Sequence, residues 1–69
     1  MTYEDLRNFA TKHNIANDEY GVYFKDYTLY PDKSIWVNKR SYGSGLDISF
    51  QVAEDRTPRQ MLQFLESLM

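Results

Sequence analysis

"YGVYFKDYTLY" (residues 20–30) places five rings, Tyr20, Tyr23, Phe24, Tyr27 and Tyr30, within eleven positions. Spacings of three and four would line one side of a helix as readily as the segment would form a strand. Gly21 and Thr28 weaken the helix, whereas tyrosine, phenylalanine and valine favour extended backbone. The stretch also ends at Pro31 and leads into a hairpin, which needs a third strand to be stable. It is therefore read as one strand. Side chains alternate across a sheet, so Val22, Phe24 and Tyr30 are expected on the core side, with Tyr23, Lys25, Tyr27 and Leu29 opposite.

Outward from this stretch, "YPDKS" (30–34) reads as a turn with proline at its second position. SIWVNKRSY (34–42) is a second strand, with Ile35 and Val37 inward and Trp36, Asn38, Arg40 and Tyr42 outward. "YGSG" (42–45) is a glycine turn. LDISFQVA (46–53) alternates without a fault: Leu46, Ile48, Phe50 and Val52 are expected in the core, and Asp47, Ser49 and Gln51 in water.

Both flanks are helical. In TYEDLRNFATKH (2–13), Thr2 suits the N-cap, and Glu4 and Asp5 suit the positive end of the helix dipole. Leu6, Phe9, Ala10 and His13 form its apolar face, and Asn14 can end it in a left-handed conformation with Ile15 folding back. ANDE (16–19) is a polar connector. Near the C-terminus Thr57 caps, Pro58 takes the first helical position and Gln60 completes a capping box. Met61, Leu62, Leu65, Leu68 and Met69 supply the apolar face, with Phe64 at its edge. The expected class is α+β in the order α-β-β-β-α. A three-stranded antiparallel meander carries both helices on one face, in a single domain over residues 1–69.

Size and composition narrow the function. A chain of 69 residues buries only about 60% of its unfolded surface, and such domains often need disulfides, metal or oligomerisation. The absence of cysteine removes disulfides, thiolate metal sites and cysteine nucleophiles. His13 is the only histidine, so neither a metal centre nor a cofactor site is expected. Asp18/Glu19 and Glu54/Asp55 fall in connectors, where adjacent acids do not converge on a substrate. "GSG" (43–45) joins two strands and is no phosphate loop. An enzyme is not expected. No apolar run approaches the span of a bilayer, and no basic segment with an apolar stretch opens the chain. A complete, cytoplasmic small protein is the expectation.

Two helices on one sheet face leave the other uncovered. The expected partner-binding surface is that face, with Tyr23, Lys25, Tyr27, Trp36, Arg40 and Tyr42. Tryptophan, tyrosine and arginine are the residues enriched in interface hot spots. Another protein is the expected partner, with a homodimer as a subcase. The cross-strand rings would also stabilise the sheet by themselves. In style the chain resembles small accessory proteins of phages and mobile elements.

The alternative is nucleic-acid binding, with bases stacked on the same rings. The α-β-β-β-α order is similar to that of double-stranded RNA-binding domains, over nearly the whole chain. That family carries lysines at the start of its last helix, where this chain has EDRTPRQ (54–60), with Arg56 and Arg59 and two acids. The strand-strand-helix half also resembles the arm-site DNA-binding domains of integrases, without their basic strands. A net charge of −2 and a pI of 5.1 oppose phosphate neutralisation as the source of affinity.

Overall fold

The structure, a computed structural model, describes residues 1–40 and 47–69; of Arg40 and Asp47 it describes the backbone. Helix α1 (Tyr3–Lys12) starts at Thr2, whose hydroxyl accepts from the Asp5 N–H while the Asp5 carboxylate accepts from the Thr2 N–H. It ends as its sequence indicates. Asn14 takes φ 59°, its N–H donates to the Thr11 carbonyl, and the Ile15 N–H reaches back to Ala10 at 2.7 Å. These two bonds make a Schellman motif, and they deliver Ile15 into the core. Helix α2 (Pro58–Leu68) carries the expected Thr57–Gln60 capping box and Pro58 start.

Five strands lie between the helices, not three: β1 (Ala16–Asn17), β2 (Val22–Phe24), β3 (Tyr27–Leu29), β4 (Ile35–Arg40) and β5 (Asp47–Ala53). All neighbours pair antiparallel in the order β1-β2-β3-β4-β5. The α+β class and the order helix, sheet, helix stand, while the three-stranded meander is corrected. The ANDE connector contributes an edge strand, because Ala16 and Asn17 pair with Tyr23 and Val22. The stretch 20–30 is itself a hairpin, closed by the Phe24–Tyr27 pair around Lys25 and Asp26.

Register defines the two faces of the sheet. Val22 pairs with Leu29 and Leu29 with Ile35, while Tyr27 pairs with Val37 and Val37 with Phe50. This face meets both helices: Leu6 and Ala10 of α1 and Met61 and Leu65 of α2 cluster with Val22, Leu29 and Ile35. The opposite face carries Tyr23, Thr28, Trp36, Asn38, Ser49 and Gln51.

The helix layer stops short of β5. Ile48, Phe50 and Val52 lie on the helix side yet remain 52%, 43% and 46% exposed, so the expectation that they are core is corrected. Between α2 and β5 runs a groove of about 550 Å³, lined by Tyr27, Val52, Ala53, Arg56 and Phe64. A bulge at Val52 turns Ala53 back toward Ile35 and into partial burial against the core. His13 is corrected too: it is exposed, its ring tilted 39° against Phe9 with centroids 4.3 Å apart. Among the described residues, no helix is long and apolar enough to cross a membrane.

Candidate functional site

The helix-free face is built on Trp36. Its position in β4 opposite Thr28 and Gln51 turns the indole away from both helices. A chain of hydrogen bonds fixes the ring. The indole Nε1–H donates to Ser34 Oγ at 3.0 Å, and that hydroxyl in turn donates to Asp32 Oδ1. Ser34 is buried, and its N–H also donates to the Asp32 carboxylate. The turn predicted at "YPDKS" therefore does two things: it connects strands and it orients the only tryptophan. Tyr30, Asp32, Trp36 and Ser49 line an open groove of about 350 Å³ beside the ring.

Tyr23 lies on the same face in β2, opposite Thr28. Its hydroxyl donates to the Asp18 carboxylate at 3.0 Å, a bond that raises the phenol above its ordinary range. The Asp18 carboxyl is correspondingly held below the usual range, foremost by the Tyr20 N–H and then by the Tyr23 hydroxyl. Gly21 makes room for this arrangement. A Cβ there would stand 3.2 Å from the Thr28 methyl and 3.3 Å from the Leu29 carbonyl oxygen, with the Tyr23 ring 3.6 Å away.

Two of the six residues expected on this face are elsewhere. Tyr27 is on the helix side, edge-on to Phe64 of α2 with centroids 5.0 Å apart. Lys25 occupies the β2–β3 turn at φ 54°; its Nζ donates to the Leu68 carbonyl at 2.9 Å and lies 5.6 Å from the Phe24 centroid. It thus neutralises the carbonyl end of α2. The physical reason is the tight turn at Lys25–Asp26, which inverts parity between Tyr23 and Tyr27. Leu29 moves with Tyr27 into the core. Arg40 ends β4 opposite Asp47. Tyr42 lies outside the described residues, as do the YGSG turn and Leu46.

The site thus brings Tyr23 and Trp36 to one face, adds Tyr30, and exchanges the expected lysine for the carboxylates Asp18 and Asp32. Tyr30, expected on the core side, is corrected: the Lys25–Asp26 turn shifts it with Tyr27 and Leu29, and it lines the groove beside Trp36. Asp18 is expected only as a connector acid and Asp32 only as part of the YPDKS turn. The signal for the last two was their position two residues before the N–H groups that they cap, Asp18 to Tyr20 and Asp32 to Ser34.

Comparison with protein-family models, curated proteins and solved structures found no match to this chain. Any function must therefore be argued from this geometry.

Proposed function

We propose that this chain is a non-enzymatic protein-binding module of the cytoplasm, an inhibitor, adaptor or regulator, acting through the helix-free sheet face. The observation that carries the reading is the Trp36 indole, fixed by Ser34 and Asp32 on a face that neither helix covers. A ring immobilised before binding loses little side-chain entropy on contact, which is where an interface anchor gains affinity. Tyr23 and Tyr30 extend the aromatic surface, and the flanking carboxylates favour a partner that presents basic or apolar side chains.

Nucleic acid fits this face less well. Lys25 is engaged at the end of α2, and the Asp18 and Asp32 carboxylates beside the rings would repel phosphates.

Affinity capture from the native host, with bound proteins identified by mass spectrometry, tests the reading. The wild-type chain should retain a specific partner that the folded Trp36→Ala and Tyr23→Ala variants lose. Retention by both variants would remove this face from consideration. Salt-sensitive, submicromolar binding of single-stranded oligonucleotides would replace a protein partner with nucleic acid.

A further inference from the structure

The β5 edge raises a separate question, because it combines three features that folded monomers avoid together. Among the described residues it is the last strand of the sheet, so one row of its backbone N–H and C=O groups has no strand partner. Ile48, Phe50 and Val52 are exposed along one of its faces. From Ile48 to Ala53 it contains no charge and no proline, the usual guards of a sheet edge.

The shape of the chain agrees. Its radius of gyration is 12.3 Å, against about 11 Å for a compact chain of this length. Its accessible surface is 4991 Å², against about 4,500 Å² from the area scaling of folded monomers. Ile48, Phe50 and Val52, at 52%, 43% and 46% exposed, contribute apolar area that a paired strand would cover.

We infer that β5 is a self-association edge, pairing antiparallel with β5 of a second copy about a two-fold axis at Ser49. The bulge at Val52 ends the regular ladder, so the usable strand is Asp47–Gln51, and its midpoint is Ser49. Antiparallel strands admit a two-fold axis at any directly opposed pair, in either of their alternating pair types. With this centre Ile48 stands opposite Phe50 of the other copy on the helix side, twice over, an aliphatic–aromatic pair of the stabilising kind. The two Ser49 side chains face each other on the other side, so reversing the strand sets apolar on apolar and polar on polar.

Electrostatics permits the pairing. Lys39 pairs with Ile48 one strand inward, while Glu54 and Arg56 flank Val52 at the other end, beyond the paired stretch. Two copies would hold their Lys39 backbones three strand spacings apart, about 14 Å, beyond a Debye length of ~8 Å. In the proposed register Asp47 stands opposite Gln51 of the other copy, so no like charges are directly opposed along the paired stretch. The product is a continuous ten-stranded sheet, with the Trp36 faces of both copies on one side.

Sedimentation velocity from low to several hundred micromolar chain should show a reversible monomer–dimer equilibrium. Phe50→Lys, whose fold is checked by its circular dichroism melt, should weaken association roughly tenfold or more. In a chain with no other cysteine, Ser49→Cys should be joined to its counterpart by a short bismaleimide, while Glu19→Cys, beyond the opposite edge strand, should not. A chain that stays monomeric throughout would overturn the proposal. So would a dimer that tolerates Phe50→Lys, or one in which the Ser49→Cys variant is not cross-linked. Should Phe50→Lys fail to fold, the Ser49→Cys cross-link decides alone.

Discussion

Lys33 holds φ 76°, a left-handed conformation that lysine adopts at a cost. The Lys33 N–H donates to the Tyr30 carbonyl and the Tyr30 N–H to Ser34, so this residue takes the position that glycine usually fills in three-residue hairpin loops. Lys33→Gly should stabilise the chain by about 0.5 kcal/mol, the relieved strain exceeding the added entropy of the unfolded chain. Differential scanning calorimetry should show a rise in Tm of about 2–4 °C. Tyr3 offers a second test. Its hydroxyl donates to the Leu29 carbonyl at 2.6 Å, and burial pushes the phenol up to about 12 from the ordinary 10. A pKa raised by folding gives stability that is complete below pH 10 and is lost as pH rises from 10 toward 12. Tyr3→Phe should cost about 1 kcal/mol at neutral pH and flatten that alkaline decline in urea titrations. Tyr23, also raised, would retain part of the slope.

At the scale of elements, the hairpin at 22–29 decides what Tyr27 does. Its ring packs on Phe64 and against the core rather than in water, so Tyr27→Ala should behave as a core truncation. A half-buried aromatic lost from such a contact should cost about 2 kcal/mol, read as a lower urea midpoint with an unchanged m-value. Had Tyr27 shared the face of Tyr23, the same substitution would have been nearly neutral for stability. Both helices were legible because their signals are local: Thr2, Asn14, Thr57, Pro58 and Gln60 each act within four residues of where they stand. The β2–β3 turn was illegible for an equally physical reason. A two-residue hairpin announces itself by glycine or asparagine at positive φ, and here Lys25 takes that conformation at 54°. Once the turn is missed, every later side chain of the stretch falls on the wrong face. That single error moved Tyr27 and Lys25 into the expected binding surface, while Trp36, whose parity depends on β4 alone, was placed correctly.

For the whole molecule, alternation along β5 foretold its two faces but not whether anything covers them. Ile48, Phe50 and Val52 have the same period as a buried strand, and only the reach of the helix layer distinguishes the two cases. Helix α1 at 10 residues and α2 at 11 are each about 15–17 Å long, against a long dimension of 41 Å for the chain. The core is correspondingly small and centred on β2–β4 beneath the helices, with Ile15 added after α1 and Ala53 at its margin. A chain of 69 residues has a total stability of about 3–10 kcal/mol. Leu65→Ala, at a fully buried position, should remove about 3 kcal/mol or more and leave the chain near its unfolding threshold. Phe50→Thr, in dilute protein where association is absent, should cost less than about 1 kcal/mol, because the ring is 43% exposed. Urea titrations of both variants at low concentration compare the two. Equal destabilisation would mean that α2 reaches β5 in solution and that the apolar edge is core after all. A large gap between them would mean that Phe50 contributes little to the stability of the lone chain, so that its apolar surface is available for association.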